Sequence, residues 1–329
     1  MARKRISLNE VVDITEPVRR EKQENLGFTI KDFLEKHGEF MMVKKLEGLA
    51  PKTLQDHVTF MRYFAEWGKD NVKVFENRFV EKGIFFEYIA YMYSKEFKPC
   101  TMNLRLRTLK CYLRWLQSEK VLQEDITSKI KLVKVPKDTK EPLTPAEIKR
   151  MFKTLNFAEY ADYRDFVIML VILDCGARIN ELLNVTIGDY NSKDRTITID
   201  SETAKTRETR VLPISVKTAK HLQKLIDLAK ANNENYIFNS SYGGRIYTTN
   251  VIKNFEKYGK KAGIENKQTT PHQFRRTFAV ECVKSGMDVF TLQKMLGHAN
   301  ISTTRIYVNL DNSHLIKSHE KIDVISRFI

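Results

Sequence analysis

The stretch Lys131-Leu-Val-Lys-Val-Pro-Lys-Asp-Thr-Lys-Glu-Pro142 constrains this 329-residue chain more than any other segment. Two prolines and a run of charges oppose both helix and strand. Directly after it, Thr144-Pro145-Ala146-Glu147 supplies an N-cap, a proline at the first helical position and a capping-box glutamate. A chain interrupted this way folds as two bodies, one on each side. The boundary falls just before Thr144, with 136–143 as the linker proper. At about 150 residues per domain, the length allows the same division.

Before the linker the pattern is helical. Residues 1–27 mix charges of both signs with little periodicity and read as a flexible arm, either a terminus without a role or one that touches DNA. Residues 28–135 form a helical domain. Pro51-Lys52-Thr53 opens one helix, with Leu54, Val58, Met61 and Ala65 on a shared face widened by Phe60, Phe64 and Trp67. A second spans roughly Arg78 to Tyr93. In a third, starting near Thr101, Met102, Leu106, Leu109, Leu113 and Leu116 recur at core-facing helical spacing. Beside that stripe run Arg107, Lys110 and Arg114. From Lys98 to Pro136 nine Lys or Arg face three acids. The basic stripe and Lys134 fit either a solvated face or a surface that tracks a DNA backbone.

After the linker, residues 144–311 predict a mainly helical domain with a small antiparallel β-sheet, so the chain as a whole is α+β. Tyr160 to Asp174 reads as a buried helix. Arg195–Asp200 alternates as a strand, Thr209–Ile214 as its hairpin partner, and Tyr236–Phe238 as a third short strand. Helices are expected from about Val216, Thr249, Pro271, Asp288 and Ser302. The tail, 312–329, carries Leu315, Ile316, Ile322, Val324, Ile325, Phe328 and Ile329, which suits docking onto a neighbouring copy or folding back on its own domain.

Composition narrows the partner. The formal charge is +15, from 56 Lys and Arg against 41 acids. Such an excess favours a polyanion, most often nucleic acid. Cys100, Cys111, Cys175 and Cys282 show no paired spacing and read as reduced thiols. No apolar run exceeds the eight residues Phe166–Leu173, so neither a signal peptide nor a membrane span is expected, and the setting is cytoplasmic.

Several short motifs carry chemistry. Cys175-Gly-Ala-Arg178-Ile-Asn-Glu181 puts an arginine after a glycine turn, with a carboxylate on the same helical face. The pair is a phosphate site or a surface ion pair. Lys205 lies between two strands, as a turn lysine or one delivered to DNA. His272-Gln-Phe-Arg275 begins a helix with two basic groups, which oppose the macrodipole unless an anion sits there. His298 follows a glycine, and Tyr307 stands nine residues later in the next helix, where a tyrosine is usually core. Together the arginines can clamp phosphodiester oxygens, the histidines and lysine can move protons, and the tyrosine can attack phosphorus.

In this order the motifs resemble the tyrosine recombinases, the integrase family of Xer-type resolvases and of phage and transposon integrases. Arg178 matches the family's first arginine, Glu181 its acidic position and Lys205 its hairpin lysine. Arg210-Val-Leu-Pro-Ile looks like its Arg-x-Val-Pro-Leu segment. His272-Gln-Phe-Arg275 matches His-x-x-Arg, Leu296-Gly297-His298 matches Leu-Gly-His, and Thr303-Thr304-x-x-Tyr307 matches Thr-x-x-Tyr. One departure is Thr203-Ala-Lys205-Thr, where many members have glycines. The resemblance covers about 144–310 firmly, and 28–130 more loosely as a core-binding (SAM-like) domain.

The resemblance implies strand cleavage and rejoining through a 3′-phosphotyrosyl link, with Tyr307 as nucleophile and His272 as its proton acceptor. Arg178, Arg275 and His298 hold the phosphate, Lys205 protonates the leaving oxygen, and Glu181 orients Arg178 or a histidine. No metal or other cofactor is implied, since fixed cations supply the stabilisation. The implied partners are double-stranded DNA with inverted-repeat core sites, a homotetramer on two duplexes and accessory DNA-bending proteins. The implied role is integration or excision of a mobile element, with a transposase among the options, or resolution of replicons. The rivals are a type IB topoisomerase, a catalytically inactive DNA-binding regulator and a metal-dependent nuclease.

Overall fold

The computed structural model describes residues 27–135, 141–200 and 208–308. The N-terminal arm, most of the linker, Lys205 and the C-terminal tail lie outside the described residues. The chain divides into two compact units between Asp138 and Thr139.

The first unit is helical: α1 (Ile30–Leu46), α2 (Pro51–Asn71), α3 (Lys82–Ser94), α4 (Pro99–Ser118) and α5 (Ile126–Lys129). A capping box starts α1, with the Thr29 hydroxyl accepting from the Asp32 amide. Proline occupies the first position of α2 and of α4. The α4 stripe Met102, Leu106, Leu109, Leu113 and Leu116 is fully buried. It meets an aromatic cluster of Phe33, Phe40, Phe64, Tyr88 and Tyr112, in which the Tyr112 hydroxyl donates to the Phe33 carbonyl at 2.7 Å. Ring pairs such as Phe33–Phe64, edge-on at 5.9 Å, each add about 0.5–1.5 kcal/mol beyond area burial.

Two sequence expectations here need correction. The buried face of α2 keeps the expected Met61, Phe60, Phe64 and Trp67 and adds His57, while Val58 is exposed. Aromatic bulk against α1 and α3 outweighs the aliphatic stripe. Helix α3 begins at Lys82, not Arg78, because the chain first makes a 3-10 turn at Phe75–Asn77 and the Arg78 carbonyl accepts from the Ile30 amide.

The second unit contains α6 (Pro145–Lys153), α7 (Tyr160–Cys175), α8 (Ile179–Leu182), β1 (Tyr190–Asn191), β2 (Thr196–Ile199), β3 (Arg210–Pro213), α9 (Val216–Ala231), α10 (Thr248–Lys261), α11 (Pro271–Lys284), α12 (Val289–Leu296) and α13 (Ser302–Val308). The fold is mainly helical with one antiparallel sheet in the order β1-β2-β3. The third strand is Tyr190–Asn191; Tyr236 makes only an isolated bridge to Thr186. Two residues facing β2 suffice for a strand, and neither leaves an alternation to read. The Thr144–Glu147 capping box opens α6.

Helix α7 is buried on nearly every side and packs against α9 and α11. At its N-terminal half Asp165 is fully enclosed, bound by Arg164, Asn254 and Tyr258. At its far end Gly176 turns the chain toward α8. Helices α12 and α13 close that end, α12 against β3 and α13 against α11.

Candidate active site

Two glycines shape the site. Gly176 caps α7 at φ +67°, and a Cβ there would sit 2.4 Å from the Phe278 ring. Gly297 caps α12 at φ +61°, and its Cβ would meet Arg210 Cζ at 3.1 Å and Arg178 Nη1 at 3.2 Å. Both positions need the left-handed conformation and the empty space that glycine alone provides.

Around the second turn three arginines converge. Arg210 Nε donates to the Met295 carbonyl at 3.3 Å, Arg275 Nη2 to the Leu296 carbonyl at 2.7 Å, and Arg178 Nη2 to the Gly297 carbonyl at 2.6 Å. The last turn of α12 leaves its carbonyls unpaired within the helix and carries partial negative charge. Cations settle there for the same reason they would settle on a phosphate.

Glu181 joins two of them. Its Oε1 accepts from Arg178 Nη1 at 3.1 Å and its Oε2 from Arg210 Nη2. Burial pushes the Glu181 carboxyl up, but Arg210 and Arg178 overcome this and hold it below the ordinary value. Arg275 is buried on the first turns of α11, with Nη1 donating to the Gly176 carbonyl at 2.7 Å. Burial first, then Arg178, lowers its pKa to about 9, against an opposing effect of Tyr307 and Glu181. It still carries its charge at neutral pH.

His298 lies against Arg275, whose Nη2 stands 3.0 Å from His298 Nε2. Its Nδ1 is 2.9 Å from the Thr304 hydroxyl on α13. Burial, then Arg275 and Arg178, pushes the imidazole down to about 4. His272 is exposed in the first turn of α11 and acts on His298 electrostatically.

Tyr307 is 3% exposed and packs with Phe278, Ala279, Val280, Val283, Leu292 and Leu296. It also interacts electrostatically with Arg275. Its ring is core and its hydroxyl belongs to the cationic cluster's surroundings at once.

Six of the seven residues singled out as catalytic are thus described. Arg178 pairs directly with Glu181 and Arg275 with His298, and the two pairs meet on the neighbouring Gly297 and Leu296 carbonyls; His272 and Tyr307 adjoin them electrostatically. Lys205 lies outside the described residues. Sequence reading missed Arg210 as Glu181's second partner and Thr304 as the partner of His298. Both stood in recognised segments, but Arg210 lies 29 residues from Glu181, and Thr304 meets His298 from the following helix, so neither contact leaves a local signal. Beside the cluster a cavity of about 600 Å³ opens between β3 and α12, lined by Arg210, Lys294 and His298. Among the described residues no three His, Cys, Asp or Glu side chains are grouped to hold a metal ion.

The basic stripe of the first unit separates into parts. Arg107, Arg114 and Lys134 are exposed, while Lys110 Nζ donates to the Ile130 carbonyl at 2.7 Å and helps fold the chain back along α4. Asn103 does the same, exchanging two bonds of 2.8 Å with the Val133 backbone.

Comparisons with known proteins agree on what this arrangement is. The sequence profile of the phage integrase family matches residues 141–314. Tyrosine recombinase XerA of Thermococcus kodakarensis is 28% identical over 294 residues, 88% of this chain and 96% of that protein. A Tn1549 transposon integrase, solved in complex with a circular intermediate DNA, shares the fold at a TM-score of 0.72 and 19% identity, over 90% of this chain and 100% of that one. A lambda integrase tetramer bound to a Holliday junction shares it at 0.68 and 14% identity, over 84% of this chain and 76% of that one. Fold and sequence therefore define a tyrosine-type site-specific DNA recombinase. The chain belongs to the phage integrase family.

Proposed function

We propose that this protein cleaves and rejoins DNA at a specific core site with Tyr307 as its nucleophile. The observation that carries the reading is the convergence of Arg178, Arg275 and His298 on the end of α12, with Tyr307 beside Arg275. Arginines that cap helix carbonyls are also able to hold phosphate oxygens, and arrival of a phosphodiester exchanges a partly negative carbonyl for a full anion.

In the reaction the Tyr307 oxygen attacks phosphorus in line, the P–O5′ bond breaks, and a 3′-phosphotyrosyl link forms. The phenol proton passes to His272. Arg178 and Arg275 bind the non-bridging oxygens and stabilise the charge that develops on them. His298 adds a hydrogen bond once the phosphate's charge favours its protonated form. Lys205 gives a proton to O5′, a role arginine cannot fill at neutral pH. Glu181 keeps Arg178 oriented. A 5′-hydroxyl from a second duplex then reverses the step, and the energy of the phosphodiester is conserved in the covalent link.

The first unit, as a core-binding domain, tracks the DNA backbone with Arg107, Arg114 and Lys134, and Lys110 supports the loop beside them. Four copies act on two duplexes with inverted-repeat sites, tails docking from copy to copy, and accessory DNA-bending proteins assist. The lambda integrase tetramer on a Holliday junction supports the stoichiometry; the role is integration or excision of a mobile element, or resolution of replicons. The setting is the cytoplasm, where the DNA is.

The test uses a duplex recovered by selecting bound sequences from a random library, nicked so that cleavage traps the enzyme. Wild type accumulates a covalent adduct. Tyr307→Phe binds the duplex and accumulates none; an adduct in that variant refutes the assignment.

A further inference from the structure

Resting on that reading, we propose that Arg210 is a positioning residue for strand cleavage. It holds Glu181 and the end of α12, and through them sets Arg178 and His298 for the phosphate.

The location of Arg210 is unusual for its chemistry. It opens β3 at an inward-facing position, paired with Ile199, and alternates with exposed Val211 and buried Leu212. An aliphatic side chain would fill an inward strand position without burying a charge. Arg210 is instead 8% exposed, with Nε on the Met295 carbonyl, Nη2 on Glu181 and Nη1 buried without a hydrogen-bond partner. Stability alone is a weak reason to keep such a group, because a buried ion pair often contributes little next to apolar packing.

Its two attachments explain it better. Glu181 meets Arg178 by one bond at 3.1 Å, on its Oε1. With Arg210 on the other oxygen, the carboxylate is clamped from two sides and cannot rotate away. The Met295 carbonyl lies three residues before His298, so the same guanidinium also fixes the turn that presents the imidazole. Gly297 completes the arrangement, since any Cβ there would push against Arg210 and Arg178 together. The bonds Arg210 makes are to Glu181 and to the Met295 carbonyl at the α12 end, and it acts through them.

The experiment compares the full-length chain with Arg210→Met, Arg210→Lys, Glu181→Gln and the Arg210→Met/Glu181→Gln double variant on the nicked selected duplex. Duplex affinity and the rate of adduct formation are measured separately. Expected is unchanged affinity with adduct formation about 10²-fold slower in Arg210→Met, the size of loss a small misplacement produces. Arg210→Lys recovers part of the rate, because charge returns without the two-pronged fork. The double variant is no slower than the slower single one, since both changes break one device. The His298 imidazole, followed by NMR in the DNA-free protein, titrates at higher pH in Arg210→Met, where one of the cations holding it down is gone. A wild-type rate in folded Arg210→Met or Arg210→Lys, or losses that multiply in the double variant, overturns the proposal. Absence of any adduct from wild type overturns the recombinase reading instead. If Arg210→Met does not fold, Arg210→Lys and Glu181→Gln decide the matter.

Discussion

Arg275 Nη2 lies 3.0 Å from His298 Nε2. An arginine can only donate, so Nε2 accepts, and the imidazole proton sits on Nδ1, facing the Thr304 hydroxyl at 2.9 Å. Thr304 stands one turn before Tyr307 on α13. His298 therefore links Arg275, which we propose holds the phosphate, to the helix that carries Tyr307. Thr304→Val keeps the shape of this fully buried side chain and deletes the acceptor. Expected is a loss of about 10-fold in adduct formation, from one misdirected catalytic group, with duplex affinity unchanged. Equal adduct rates for Thr304→Val and wild type would show that the link does not matter.

Gly297→Ala tests the crowding at the α12 cap. The left-handed backbone costs a non-glycine residue about 1–2 kcal/mol, and the new methyl displaces Arg178 and Arg210. The melting temperature falls and cleavage falls further than stability accounts for. A folded Gly297→Ala protein with wild-type cleavage contradicts the geometry described for the two guanidiniums.

Lys205 is tested by chemistry. If it protonates the leaving oxygen, Lys205→Met is slow on an ordinary duplex. A substrate with sulfur in place of the bridging O5′ needs no proton at that step, because a thiolate leaves readily. That substrate restores cleavage in Lys205→Met but not in Arg178→Met. Failure of the sulfur substrate to rescue Lys205→Met removes the general-acid role.

His37 and His57 make the first unit sensitive to acid. Both are buried, and His37 Nε2 and His57 Nδ1 have no hydrogen-bond partner. Burial, then His57, pushes His37 down to about 4; burial lowers His57 too, against Asp56 and alongside Lys44. The unfolded chain takes up protons below its ordinary value of about 6.5 while the folded one resists. Stability is therefore full above that value and drains away as pH falls toward 4, by on the order of 3 kcal/mol for His37 alone. Thermal melts at pH 7 and pH 5 should show this loss in wild type and a smaller one in His37→Leu. Identical pH dependence in the two proteins would exclude His37 as the cause.

On the face proposed to bind DNA, Arg107→Ala, Arg114→Ala and Lys134→Ala each remove an exposed cation. Each should flatten the dependence of log affinity on log salt by about 0.9 if it neutralises a phosphate. Lys110→Ala should instead lower stability, since its ammonium holds the Ile130 carbonyl. Unchanged salt slopes in all three would move the DNA path elsewhere.

What could be read beforehand depended on how local the signal was. The capping box at Thr144, the prolines opening α2 and α11, and the α4 stripe are sequence-local, and each appears in the fold, whereas α4 itself begins at Pro99, two residues before the expected Thr101. Arg178 and Glu181 share a face because three residues separate them, and they pair. The two-residue strand β1 has no alternation to detect, and the face of α2 is chosen by rings on other helices. Arg210 needed the return of β3 to α8 before its partner was visible. The burial of Tyr307 depends on α11 and α12 packing over it.

The most direct measurement digests the trapped enzyme–DNA complex and identifies the modified residue by mass spectrometry. The account predicts a nucleotide on the peptide containing Tyr307, joined through the 3′-phosphate, with a free 5′-hydroxyl on the other fragment. Attachment to a different side chain, such as the exposed Tyr247, or a 5′-phosphate at the break, would contradict it.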